Sequence, residues 1–331
     1  MRARTMGRTR RKRLVIGVAV LLVALVVAVW GGLGRGDDGQ HANPFTVRTP
    51  FVDPDSAATR AATSNDGSLD DTDRDLLRRL GAVPTAIWLV PEALGVGQVG
   101  GRVRSLVKAS SSADRELVLV IYGIADRDCG GYSSGGLRGD AYQAWVREIA
   151  AAAGEGHVSV VLEPDALALA GDCGDPSQRL QTLHDAVDEL VSRGVVTYVD
   201  AGHSNWVPPA TMAERLRAVG IDRARGFATN VANFNLDADE RGYAEQLSRL
   251  LDGAHYVIDS GRNGAGSNGT VCNPPGRAVG TRPGFVDDGS GQDAYLWIKP
   301  PGESDGECQG GPPAGSWWTA AAVELARNAG W

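Results

Sequence analysis

The chain has 331 residues, 43% of them hydrophobic, which suffices for one large domain or two medium ones with a sizeable core. Its formal charge of −7 is unevenly placed: residues 1–13 hold seven Arg or Lys and no acid, so removing them leaves −14 on the rest. A body that acidic repels phosphate backbones, which excludes nucleic acid as the partner.

The basic head, residues 1–13, leads into LVIGVAVLLVALVVAVW, residues 14–30, which are 17 uncharged and mostly aliphatic residues. This pattern is an export signal. No clean small-x-small site follows it, and its length is at the short limit for a spanning helix, so a removed signal peptide and a retained membrane anchor both stay open. Either way the basic end stays inside and the body is placed outside, secreted or anchored to the outer face of the plasma membrane. Residues 31–42, rich in Gly and Asp, read as a flexible linker, and the folded domain is expected over residues 43–331.

From there, short apolar runs end in polar residues and are followed by helical patterns, the order of parallel strands joined by crossover helices. Seven runs are legible: AIWLV (86–90), LVLVIY (117–122), VSVVLE (158–163), VVTYVD (195–200), GFATN (226–230), HYVID (255–259) and AYLWI (294–298). Seven fits a barrel better than a sandwich. Between them, Leu180, Leu183, Val187, Leu190 and Val191 make one helical stripe closed by Gly194, and Tyr243, Leu247, Leu250 and Leu251 make another closed by Gly253. No composition break separates the runs, so one catalytic domain is expected.

Six of the seven runs are followed by polar groups: Asp126 and Asp128, Glu163 and Asp165, Asp200 and His203, Asn230 and Asn233, Asp259 and Arg262, then Lys299, Glu303 and Asp305. In a parallel α/β barrel the C-terminal strand ends share one face, so these residues should converge on one cleft. Residues 260–292 show neither helical nor strand period and contain Cys272, which points to an anchored loop over a site. Four cysteines in an exported chain suggest two disulfides out of three possible connectivities, and chain order favours Cys129 with Cys173 and Cys272 with Cys308.

Three other chemistries are disfavoured. Gly95, Gly97 and Gly100 spell GxGxxG, but Pro91 and Glu92 interpose a loop where a dinucleotide-binding turn belongs. His203 stands near Asp200, whereas His41, His157, His184 and His255 lie where they are not expected to reach the same face, and no cysteine spacing is CxxC, so no metal site is expected. There is no GxSxG elbow for a serine hydrolase. No cofactor is expected. What remains is a cleft rich in carboxylates, with Asp165, Asp128, Asp305 and Asp200 as acid or base candidates and Trp88 and Trp206 as flat surfaces for sugar rings. Hydrolysis of a glycosidic bond needs those two kinds of group.

The motifs YGIADRDCGGYSSGG, VVLEPDALAL, YVDAGHSNW, GFATNVANFN, VCNPPGRAVG and AYLWIKPPGESDGEC, with NPFTVRTPFVDPDSAA at the front, resemble glycoside hydrolase family 6, the cellulase family B enzymes. The likeness runs in order over residues 43–331. It implies a distorted seven-stranded parallel β/α barrel that cleaves β-1,4-glucan with inversion. By this resemblance Asp165 is the general acid, Asp128 the neighbour that raises its pKa and can relay a proton from water, and Asp200 a structural and electrostatic partner. Asp305 matches the acid discussed as the base, and the choice between Asp305 and a water chain to Asp128 stays open. Tyr122 matches the tyrosine that crowds the reacting sugar, and Ser134 a serine that holds the catalytic water. Trp88 and Trp206 match stacking tryptophans on either side of the cleavage point, and Lys299, Glu303, His203 and Asn230 match groups that hold glucose hydroxyls. The cysteine pairs match as well. Glu163, set before Pro164, reads as structural, placed by strand alternation on the opposite face from its neighbour.

The chain departs from the family's chain-end-acting members at two places. Only GECQGGPPAG separates Asp305 from a C-terminal helix near Ser316, where those enzymes carry a long tunnel-roofing loop, and Val271 stands where they have a stacking tryptophan. An open cleft follows, and with it endoglucanase action on cellulose or soluble β-glucan by a monomer. An exo-acting cellobiohydrolase and a non-catalytic glucan-binding surface protein are the alternatives. Asn268, Gly269 and Thr270 form a glycosylation sequon.

Overall fold

A computed structural model describes residues 40, 42–64, 67 and 69–331. The basic head, the apolar segment 14–30 and most of the expected linker lie outside the described residues. Among the described residues no helix is long and apolar enough to cross a membrane.

Seven parallel strands follow one another around the fold: β1 (Ile87–Leu89), β2 (Leu117–Ile121), β3 (Val158–Leu162), β4 (Val196–Asp200), β5 (Gly226–Thr229), β6 (His255–Asp259) and β8 (Gln292–Leu296). They correspond one to one with the seven apolar runs. The sequence reading missed β7 (Gly284–Phe285), a two-residue strand antiparallel to β8 inside the stretch read as irregular. Two residues are too few to show an alternation.

The strands alternate strictly. On β2, Leu117, Leu119 and Ile121 face outward into the main core, while Val118, Val120 and Tyr122 join an inner cluster with Val161, Tyr198, Ala228, Val257, Leu296 and Ile298. The outer layer is formed by α3 (Val99–Ser112), α4 (Asp140–Ala153), α5 (Pro176–Ser192), α6 (Pro209–Ala218) and α7 (Asp237–Leu250). Helix α5 starts where Asp175 accepts the N–H of Ser177 at 2.9 Å and Pro176 supplies a preset first turn. It buries Leu183, Val187 and Leu190, and Gly194 past its end takes φ 72°.

Among the described residues no ladder closes the ring. β1 and β8 meet through Ala86 N donating to Trp297 O at 2.9 Å, and Trp88 Nε1 reaches Ile298 O at 2.8 Å. Outside this seam, α1 (Ala57–Thr63), α2 (Asp71–Gly81) and α8 (Thr319–Asn328) bury Leu76, Leu77, Leu80, Val323 and Leu325 against Trp297. That seam is the distortion of the barrel. At the N-terminal end of the strands, Arg225 and Asp293 pair at 2.7 Å, and Tyr198 donates to Asp293 at 2.6 Å. Gln40, three residues before Asn43, is buried there, with Nε2 donating to Val195 O and Oε1 accepting from Thr197 N.

Candidate active site

A cleft of about 1040 Å³ opens at the C-terminal strand ends. Trp88, Tyr122, Asp128, Ser134, Asp165, His203, Trp206, Lys299, Glu303 and Asp305 all line it. Asp200 and Asn230 do not.

Asp165 is on the floor. It follows β3 in a left-handed turn, with φ 50° at Glu163 and 68° at Asp165. Such values are costly for residues other than glycine and persist where the surroundings hold them. Here the holding groups are visible. Glu163 is fully buried and accepts from Gly123 N, Ile124 N and Tyr142 Oη, so it ties β3 to the loop after β2. Alternation continued from Val161 would have turned Glu163 inward; the left-handed backbone turns it to the helical layer instead. From below, Asp200 Oδ2 accepts the N–H of Asp165 at 2.9 Å and of Gly202 at 3.0 Å. Asp200 is 1% exposed, which removes it from the cleft wall and makes it a support beneath the acid.

Burial, and then the charges of Asp128 and Asp305, push the carboxyl of Asp165 up to about 7. The Asp128 loop is clamped from two sides. Cys129 pairs with Cys173, in the loop after β3. Ser133 donates to Asp128 Oδ2 through its N at 2.8 Å and its Oγ at 3.0 Å, and that Oγ lies 2.9 Å from Tyr122 Oη. Sequence reasoning named Ser134 and passed over Ser133; the two are adjacent and nothing in spacing separates them. It also passed over Arg127, whose guanidinium lies 4.9 Å from the Tyr122 ring centre, donates to Tyr122 O and Ser133 O, and pairs with Glu92 at 2.9 Å.

Across the cleft, Asp305 Oδ1 accepts from Arg262 at 2.9 Å and Oδ2 from Asn273 N at 3.0 Å. Asn273 is next to Cys272, whose bond to Cys308 fixes the long loop beside Asp305. Arg262 and Asn273 are further residues the motif reading did not assign. Asp259, at the end of β6, accepts four backbone N–H groups, from Gly261, Ile298, Ala232 and Lys299. It therefore sets the position of Lys299, which reaches Glu303 at 3.3 Å and stands 5.1 Å from the Trp88 ring centre.

On the other arm, the rings of His203 and Trp206 lie 5.3 Å apart. Burial lowers the His203 pKa to about 4, so the ring is neutral at ordinary pH. Asn230, expected to hold a glucose hydroxyl, is fully buried: Nδ2 donates to Asn235 O and Asp259 O, and Oδ1 accepts from Asn235 N. That expectation is corrected. The side chain brackets the backbone at φ 63° and faces no solvent; Asn233, three residues on, is the one that lines the cleft. At the GxGxxG stretch, Glu148 Oε1 occupies the N–H of Gly97 at 2.7 Å. Among the described residues no cluster of His, Cys, Asp and Glu is arranged to hold a metal ion.

A carboxyl pushed up to about 7 by burial and neighbouring acids, in a cleft that two indoles also line, is the constellation a glycoside hydrolase requires. The profile described as glycosyl hydrolases family 6 matches residues 45–329, and the chain belongs to that family. It is 43% identical over 281 residues to Endoglucanase A of Cellulomonas fimi, covering 85% of this chain and 61% of that protein. Exoglucanase 3 of Agaricus bisporus is 32% identical over 355 residues, covering 87% of this chain and 79% of the relative. Among solved structures, the endoglucanase Cel6 from Mycobacterium tuberculosis in complex with methyl-cellobiosyl-4-deoxy-4-thio-β-D-cellobioside superposes with a TM-score of 0.82 at 43% identity, over 88% of this chain and all of that one.

Proposed function

We propose that the protein is an inverting endo-β-1,4-glucanase acting on cellulose or soluble β-glucan. The observation that carries this reading is the placing of Asp165 with Asp128 and Asp305 in one cleft whose one end lacks a roof. Val271 is 74% exposed at the cleft edge, and residues 306–316 return the chain after Asp305 to the bridge between Glu303 and Trp317.

Asp165 protonates the leaving oxygen, and Tyr122 crowds the reacting ring. Both oxygens of Asp305 are already engaged by Arg262 and Asn273, which favours a water relayed to Asp128, with Ser134 beside it, over direct attack through Asp305. Trp88 with Lys299 and Glu303 binds one arm of the glucan and Trp206 with His203 the other. The two disulfides fit an exported protein, and segment 14–30 either anchors it to the outer face of the membrane or is removed. The catalytic domain of residues 43–331 works as a monomer, behind the linker 31–42 and the basic residues 1–13. The M. tuberculosis structure named above holds a cellobioside-type ligand, which supports the substrate class.

Viscosity loss of carboxymethylcellulose per reducing end released tests the endo mode. A steep early fall is expected; a slow fall with cellobiose as the sole early product would establish the exo-acting alternative. Tight cello-oligosaccharide binding without hydrolysis would establish the non-catalytic one.

A further inference from the structure

The Trp206 arm of the cleft rests on a line of polar groups that leads inward from His203. His203 Nδ1 accepts the backbone N–H of Asn205 at 3.2 Å and lies 3.1 Å from Asn235 Nδ2. Asn235 is 3% exposed, and its amide is oriented from both ends. Its Nδ2 donates to Glu240 Oε1 at 2.9 Å, and its Oδ1 accepts from Asn205 Nδ2 at 3.1 Å. Glu240, on α7, is fully buried, and the same Oε1 accepts the N–H of Ser204 at 2.9 Å. Asn230 holds the Asn235 backbone through both its N–H and its carbonyl.

Burial raises the Glu240 pKa, but in either protonation state its Oε1 accepts, from Ser204 N and from the NH2 end of Asn235, and the second amide hydrogen is left for His203 Nδ1. A ring nitrogen that receives N–H groups carries no hydrogen of its own. The hydrogen of the neutral imidazole is then on Nε2.

We propose that Glu240, Asn235 and Asn230 are positioning residues that hold His203 in one tautomer, as a fixed Nε2–H donor to a glucose hydroxyl on the Trp206 side of the cleft. The identity of the acceptor rests on the glucanase reading; the tautomer does not. Since burial keeps the ring neutral, the donor does not change with pH in the working range. Had Nδ1 been free to take the hydrogen, Nε2 would accept instead, and a sugar hydroxyl would have to turn to meet it. Fixing the tautomer in advance removes that reorganisation from binding.

The ¹⁵N and ¹H resonances of the His203 ring in the ligand-free protein report the tautomer directly. Protonated Nε2 and bare Nδ1 are expected from about pH 5 to 8; an Nδ1–H ring or an imidazolium in that range overturns the proposal. Binding is then read by calorimetry with cellotetraose in an Asp165→Ala background, which cannot consume the ligand. Asn235→Leu should mix the tautomers and weaken binding about 10-fold, the worth of one hydrogen bond left unmade. Glu240→Gln, which keeps an acceptor for Asn235, should hold the tautomer and stay within about 3-fold. An unchanged ring and unchanged affinity in Asn235→Leu overturn the relay alone. Failure of Asp165→Ala itself to bind cellotetraose, with the ring as expected, overturns the sugar-facing role together with the glucanase reading.

Discussion

At the scale of single residues, the chemistry turns on how Asp165 differs from the other buried acids. Glu163 is more deeply buried and is also pushed up to about 7, yet its oxygens are taken by backbone N–H groups and Tyr142, so it has nothing to give a substrate. Asp165 lines the cleft, and its carboxyl is raised by burial with the charges of Asp128 and Asp305 added. On the proposed acid role of Asp165, activity needs the protonated form, so kcat/KM should fall as pH rises through about 7, and Asp128→Asn, which removes a like charge, should move that limb to lower pH. A pH profile on soluble glucan checks both. Asp165→Ala should lose roughly 10²- to 10⁴-fold on polymer and much less on aryl cellobiosides, whose leaving groups need little protonation; equal losses would remove Asp165 from the acid role. Stability carries the opposite sign from the usual carboxylate. The folded state keeps a proton that the unfolded chain releases between 3.8 and about 7, so this group costs stability as pH rises across that window. Asp165→Asn should therefore unfold at a higher temperature than the parent at pH 8, by about 2–4 °C for each kcal/mol relieved, with little difference near pH 4.

At the scale of elements, the site is two loops brought face to face. The loop after β2 carries Asp128 and is tied to the loop after β3 by Cys129 and Cys173, 44 residues apart. Replacing both cysteines by Ser should cost about 2–4 kcal/mol in denaturant unfolding and more activity than that loss explains, because the bond is made by the residue next to Asp128. The opposing loop touches it through Tyr132, which packs on Gly306. A Cβ at position 306 would stand 2.4 Å from Tyr132 Cβ, and the backbone there has φ 152°. Gly306→Ala should accordingly push the Asp128 and Asp305 loops apart, lowering kcat/KM about 10-fold while the melting temperature changes little. A melting temperature that falls with activity retained would place Gly306 in the framework instead.

At the scale of the molecule, the two ends of the barrel do different work. The C-terminal end holds the carboxylates of the cleft. The N-terminal end holds Arg225 and Asp293, 4% and 2% exposed in their side chains, with Tyr198 donating to the same carboxylate. The Arg225 pairing and bonds from His255 and Tyr198 outweigh burial and keep Asp293 below the usual carboxylate range, so it stays charged. Asp293→Ala leaves a buried cation without this partner and should destabilise by about 3–5 kcal/mol in urea unfolding, with kcat/KM unchanged in the protein that remains folded. An activity loss larger than the folded fraction explains would show that the ends are coupled.

How much of this was legible in the sequence follows from the range of the interactions involved. The seven parallel strands, helices α5 and α7 and the gathering of acids at strand ends could be read because each depends on periodicity within a few residues, and the motif order carried the family and both disulfides. The burial of Asn230, the contacts of Ser133, the pairing of Arg262 with Asp305 and the relay behind His203 could not be read in that way. Whether an asparagine faces sugar or backbone depends on a left-handed turn at φ 63° and on partners 5 and 29 residues away, which no spacing rule encodes. The sequence by itself determined which groups were available for acid chemistry and which face of the barrel would carry them. Only the tertiary structure decided which of them meet the cleft, because burial, and the like charges it brings together, set both the direction of a side chain and its protonation.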